Sequence, residues 1–159
     1  MSSLAMVCRS LPLTCLGALG LAATPAYAQA PAAAQALTRT AADAKLTWGP
    51  CPPFLPAGCG IAVLHGDPAL GNFDIYFKVP GKSVIPPHWH TSAERMVLVS
   101  GELEVTYEGQ PTARLVPGTY AYGPPKQPHH GTCVSADPCV LMIAFESPLD
   151  AVPVETATQ

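Results

Sequence analysis

Residues 72–108 read NFDIYFKVPGKSVIPPHWHTSAERMVLVSGELEVTYE, and this stretch decides the fold class. In residues 73–79 apolar side chains alternate with more polar ones such as Asp74 and Lys78, and residues 102–108 show the same alternation. Because successive side chains of a strand point to opposite faces, this pattern predicts strands with one buried and one solvent-facing side. Pro, Gly and Ser separate the runs, so the stretch predicts consecutive strands joined by turns.

The same pattern of short apolar runs separated by turn residues continues over most of the chain, which contains 19 prolines and 13 glycines in 159 residues. So many breakers exclude a helical bundle, and the length is that of about one domain. Residues 140–145, VLMIAF, are apolar at every position, which predicts a strand that is buried on both faces. The sequence therefore predicts a single all-β domain of sandwich or barrel type. The candidate strands are 60–65, 72–79, 84–90, 94–100, 102–108, 112–116, 119–123, 129–134 and 139–146.

The composition excludes two classes of protein. Apolar residues make up 48% of the chain and charged residues 12%, so the signature of disorder is absent. The net charge is −3, and the eight basic residues form no cluster that could neutralise a row of phosphates. Nucleic acid is therefore excluded as an expected partner.

The first 28 residues have the pattern of a signal peptide. An apolar run over residues 10–23 follows Arg9, and Ala26 and Ala28 form a small-x-small cleavage site. The run is too short for a membrane span, although an uncleaved anchor is the alternative interpretation. We expect an exported protein, periplasmic or secreted, that does not contact the membrane after cleavage. Residues 29–45 predict a flexible arm, and residues 46–159 predict the β-barrel domain.

Four cysteines follow the predicted leader, an even number that favours disulfides in an oxidising compartment. They allow three connectivities, of which the two short loops favour Cys51–Cys59 and Cys133–Cys139. A zinc site with four thiolates is the alternative, although the chain has no Cys-x-x-Cys pair.

Four of the five histidines lie in two short segments, PPHWHTSAE at 86–94 and PPKQPHH at 124–130. On a strand, His88 and His90 project from one face, and a turn at 91–93 would bring Glu94 back towards them. A histidine from 129–130 would complete a set of three nitrogens and one oxygen that suits Zn, Mn, Fe, Ni or Cu. Glu94 shares its face with apolar residues, and a carboxylate buried there is costly without a cation.

These segments resemble the two sequence motifs of the cupin superfamily, small β-barrels whose metal is held by three histidines and one glutamate. The chain has six residues between Gly81 and His88 where the usual pattern has five, and Lys126 and Cys133 stand where the second motif has Gly and Asn. The resemblance covers about residues 81–133, and the segments upstream resemble exported single-domain cupins of unassigned function. The first motif is matched by Gly81, His88, His90, Glu94 and Gly101, and the second by Gly118, Pro124 and His129.

The resemblance implies a jelly-roll-like antiparallel β-barrel that binds one divalent metal through His88, His90, Glu94 and His129. It implies an enzyme that acts on a small oxygenated molecule, of dioxygenase, isomerase or hydrolase type, with Glu94 as a candidate catalytic residue. A module that binds or senses a small ligand without catalysis is the alternative. His130 is the second candidate catalytic residue; it has the opposite strand parity to His129, and we expect it to contact the ligands or face solvent. The resemblance also implies a homodimer. The order in which divalent first-row metals bind such ligands favours Zn or Cu if the metal is loaded after export.

Overall fold

The computed structural model of the chain describes residues 35–155, and its compact unit begins at Leu37. The predicted signal peptide, residues 1–28, and the first part of the predicted arm, residues 29–34, lie outside the described residues. The part of the chain that is described contains no helix long and apolar enough to cross a membrane.

Two antiparallel sheets make up the domain. The strands within residues 35–155 are β1 (Gly49–Pro50), β2 (Gly60–Asp67), β3 (Gly71–Val79), β4 (Val84–Trp89), β5 (Glu94–Ser100), β6 (Leu103–Tyr107), β7 (Ala113–Leu115), β8 (Tyr120–Gly123), β9 (His129–Cys133), β10 (Cys139–Phe145) and β11 (Val152–Pro153). One sheet has the order β1-β2-β3-β10-β5-β8, and the other has the order β11-β4-β9-β6-β7. The predicted all-β, jelly-roll-like antiparallel fold is confirmed.

The nine predicted strands agree with β2 to β10 to within two residues at each end. The short strands β1 and β11 were not predicted, because two residues are too few to show an alternation. The prediction for β10 is also confirmed: Leu141 and Ile143 lie in the core between the sheets, while Val140 packs on the outer face. A strand at the centre of a sheet that is covered on both faces needs apolar residues at every position.

The segment before β1 covers part of this outer face. Ala41 and Leu46 pack against Tyr76 and Val140, and the Tyr76 hydroxyl donates a hydrogen bond of 3.2 Å to the carbonyl of Arg39. The described part of the predicted arm forms turns but no helix or strand. Packing therefore extends upstream of residue 46, where the domain was predicted to begin, because exposed apolar groups of β3 and β10 need cover.

Both predicted disulfides are present. Cys51–Cys59 closes the loop between β1 and β2, and Cys133–Cys139 joins β9 of one sheet to β10 of the other. A site with four thiolates is therefore wrong, because all four sulfurs are used in covalent bonds.

Gly81 occupies the tightest glycine position in the described chain. A methyl group added there would lie 1.9 Å from the carbonyl oxygen of Ala136. We expect Gly81→Ala to lower the free energy of unfolding by about 3 kcal/mol, since the backbone must move to relieve the overlap. Urea denaturation with the disulfides intact measures this loss.

Gly49→Ala is the matched control, because its added methyl group meets only the carbonyl oxygen of Ile61, at 3.7 Å. It should change the stability by less than about 0.5 kcal/mol. Equal losses in the two variants would show that the Ala136 contact is not the cause.

Candidate metal centre

Strands from both sheets bring the predicted ligands together. β4 carries His88 directly opposite His129 of β9, and Glu94 opens β5 in the other sheet. The register of β4 shifts between Ile85 and His88, at two consecutive prolines that have no N–H to donate to β9. The shift coincides with the start of the His-x-His segment.

The four side chains form one buried cluster. One nitrogen from each of His88, His90 and His129 lies within 4.8 Å of the others. The Oε1 atom of Glu94 is 3.3 Å from Nε2 of His90, and its Oε2 atom is 3.2 Å from Nε2 of His129. The structure therefore brings together all four residues that the sequence predicted as ligands.

Backbone carbonyls orient all three imidazoles in the same way. Nδ1 of His88 lies 2.8 Å from the carbonyl of Pro86, and Nδ1 of His129 lies 3.0 Å from that of Gln127. Nδ1 of His90 contacts the carbonyl of Asp150. Because a carbonyl only accepts, each Nδ1 must carry the proton, and each Nε2 then presents a lone pair. Hydrogen bonds of this kind hold metal-binding histidines in position.

Burial favours the neutral forms of His88 and His90. Desolvation lowers the pKa of His88 to about 3, with a further contribution from the charge of His129. Desolvation also lowers the pKa of His90, against the hydrogen bond to Asp150. Burial raises the pKa of the Glu94 carboxyl to about 7, and His129 opposes this shift. Neutral imidazoles are the form that binds a metal.

The acceptor atoms of the cluster face one another in a way that favours a cation between them. When Glu94 is ionised, Nε2 of His129 and Oε2 of Glu94 are both acceptors, and within residues 35–155 the buried Oε2 has no hydrogen-bond partner. Two acceptors 3.2 Å apart repel unless a positive charge lies between them. Three imidazole nitrogens and one carboxylate form a donor set for a divalent first-row metal. The residues present therefore fit the predicted group.

A cavity of about 340 Å³ opens on this cluster. His88, His90, Glu94 and Asp150 are its polar side chains, and the rest of the lining is largely apolar. The disulfide loop between Cys51 and Cys59 contributes part of the wall. The apolar part of the lining includes Pro50, Pro52, Leu55, Ile61, Ile75, Phe77, Ile143, Phe145 and Leu149.

Residues 37–148 match the family described as the ChrR Cupin-like domain. The chain belongs to this cupin family. Its fold and the cluster of three histidines agree with the resemblance that the two motifs indicated. No curated protein matches the sequence.

Solved structures with the same fold include the DMSP lyase DddQ from Ruegeria pomeroyi DSS-3, with 21% identity and a TM-score of 0.59. That match covers 72% of this chain but only 64% of the lyase, so the chain spans less than two thirds of its length. The polyketide cyclase RemF from Streptomyces resistomycificus has 16% identity and a TM-score of 0.60, covering 76% of this cupin and 88% of the cyclase.

A cupin 2 conserved barrel domain protein from Rhodopseudomonas palustris has 17% identity and a TM-score of 0.58, covering 71% of this chain and 79% of that one. At these identities the three likenesses show the fold alone.

His130 lies apart from the buried cluster of this cupin. It is exposed on β9 and pairs with Thr106 across the sheet, on the face opposite to that of His129. Of the two positions expected for it, the exposed one is observed, and within residues 35–155 no hydrogen bond joins it to a ligand. A catalytic role for His130 stays a prediction.

Two residues near the centre were missed by the sequence analysis. Tyr107 lies beside His129, with ring centroids 5.3 Å apart, and among the described residues its buried hydroxyl has no hydrogen-bond partner. A methyl group on Gly123 would lie 3.2 Å from this hydroxyl and 3.1 Å from Oε2 of Glu94, so both atoms face the same glycine. The strand alternation could have placed Tyr107 inside, since it shares a face with Val105. Asp150 left no signal, because it lies outside both motifs.

The lowered pKa of His88 predicts a pH dependence for the metal-free protein. The unfolded chain binds a proton near pH 6.5, whereas the folded chain binds it only near pH 3. The unfolded state therefore gains more protons as the pH falls through this window, and stability falls with it. Replacing His88 with Leu should reduce the dependence on pH by about 1 kcal/mol per pH unit.

Urea denaturation in the presence of a chelator measures this difference from pH 6.5 to pH 4. Glu94 acts in the opposite direction between pH 4.5 and about 7, but it is present in both proteins and cancels in the comparison. Identical slopes for the two proteins would contradict the assignment of His88 as a buried neutral imidazole.

Proposed function

We propose that the protein is an exported, metal-dependent cupin enzyme that acts on a small oxygenated molecule. The observation that supports this most is the convergence of one nitrogen from each of three histidines and one carboxylate beside an apolar cavity. Such a set holds a metal while leaving coordination positions for water or substrate.

In this proposal His88, His90, His129 and Glu94 hold the metal, which would supply Lewis acidity to a substrate oxygen. The carbonyls of Pro86, Gln127 and Asp150 keep the imidazoles oriented. The apolar wall excludes water from the reacting groups. Glu94 is also the candidate for taking or returning a proton, because it is the one carboxylate of the cavity that touches two of the imidazoles.

A non-catalytic module that binds or senses a small ligand is the second candidate. It is favoured by the scarcity of polar groups: within the described residues, Asp150 is the only other acidic side chain on the cavity wall. The fold does not choose among dioxygenase, isomerase and hydrolase chemistry, since one fold hosts many reactions. Turnover by the metal-loaded protein supports the enzyme, while ligand binding without turnover supports the module.

In this proposal, the identity of the metal depends on the compartment in which the protein takes it up. The two disulfides are typical of an oxidising compartment, and they support export to the periplasm or secretion through the predicted leader. Outside the cytoplasm, intrinsic affinity favours Zn or Cu over Mn and Fe. Elemental analysis of exported protein, compared with protein made in the cytoplasm without residues 1–28, tests this. Exported protein filled with Fe or Mn would contradict the affinity argument and favour chemistry with O₂.

We propose that two copies of the protein form a homodimer. The domain of each copy would be residues 46–159, which follow the predicted leader and arm. Sedimentation of the exported protein tests this directly, and a monomer at micromolar concentration would contradict it.

Single replacement of His88, His90, Glu94 or His129 by Ala should lower metal occupancy at least about tenfold, because each change removes a ligand. Elemental analysis after dialysis against a fixed metal concentration measures the loss. His130→Ala is the matched control, since it removes the adjacent but exposed imidazole and should leave occupancy near that of the unmodified protein. Loss of metal in His130→Ala but not in His129→Ala would mean that the wrong histidine has been assigned.

A further inference from the structure

We infer that the cavity selects a ligand with an apolar body and a single oxygen head that is neutral or carries one negative charge. This inference rests on the proposed metal centre and names the substrate class of the same site. It is carried by the charges and the lining of the cavity.

The charges near the metal allow one negative group. A divalent cation together with the Glu94 carboxylate leaves one positive charge, because an imidazole that binds a metal is neutral. One carboxylate or alkoxide on the ligand balances this charge. A second negative group on the same ligand would then lie in the cavity without a counter-ion, which is costly in apolar surroundings.

The cavity wall offers no cation for such a second group. No Lys or Arg side chain belongs to the lining within residues 35–155, and the acidic Asp150 does. Asp150 is held in place, since its carboxylate accepts a hydrogen bond of 2.9 Å from the N–H of Thr91. The wall therefore repels a second anion and favours an apolar body.

The Cys51–Cys59 loop contributes to this selection. Leu55 is buried in the core, and the ring of Phe54 lies 5.8 Å from that of His88. The loop thus places apolar groups beside both the cavity and a ligand histidine. Its two adjacent prolines differ in position, because Pro52 lines the cavity while Pro53 is exposed. This difference provides a matched pair for a test.

The test uses octanol, octanoate and octanedioate, which have the same length and differ in charge. Calorimetric titration of zinc-loaded protein at pH 8 should show octanoate binding at least about tenfold more tightly than octanedioate. In Pro52→Lys the new ammonium group can pair with the second carboxylate, so the preference should shrink by about tenfold. Pro53→Lys adds the same charge outside the cavity and should leave the preference unchanged. Leu149→Lys repeats the test from another part of the wall.

Zinc-loaded protein that binds both acids equally would overturn the ligand class while leaving the metal centre intact. Equal effects of the two proline substitutions would overturn the role of the cavity wall. Failure to take up zinc would overturn the proposed function instead. In protein that takes up no zinc, octanol that binds more tightly than octanoate would still support an apolar cavity. Absence of octanol binding would overturn the apolar character of the cavity.

Discussion

The structure depends on placing several hydrogen-bond acceptors around one point inside an apolar domain. Each imidazole donates its Nδ1 proton to a backbone carbonyl, so the Nε2 lone pairs face one another and the Glu94 carboxylate. Without a cation this arrangement is unfavourable, since buried acceptors lose water and gain no donor. A divalent metal would bind these same groups. Metal binding would therefore link the energetics of folding to function.

The fold supplies the framework that makes this arrangement tolerable. β4 and β9 lie in one sheet and β5 in the other, so the cluster bridges the two layers. The Cys133–Cys139 disulfide joins the layers near the ligand strand β9. The C-terminal segment returns along β4, where Val152 pairs with Trp89, and this places the Asp150 carbonyl against His90. His90 is therefore held by a backbone carbonyl from a distant part of the chain, whereas His88 and His129 are held by carbonyls two residues upstream.

The surroundings of the cluster limit the chemistry that it can perform. The Tyr107 hydroxyl and the Oε2 atom of Glu94 face Gly123, and neither has a hydrogen-bond partner within residues 35–155, while the cavity opens on His88, His90 and Glu94. The cavity side is largely apolar, so orientation and charge must come from the cluster itself. A ligand in this cavity would exchange water for hydrocarbon contacts along its body and would meet polar groups mainly at one end.

The sequence by itself determined the strands, because alternation of apolar residues has a period of two whatever the partner strand. It predicted the candidate ligands through the parity of His88 and His90 and through the cupin motifs, and it predicted the disulfide pairs through short loops. Tertiary structure decided that the Asp150 carbonyl holds His90, that Asp150 borders the cavity, and that residues before 46 cover the outer sheet. The contact between His90 and Asp150 joins residues 60 positions apart. No local pattern encodes such distances, because they arise only when the two sheets pack.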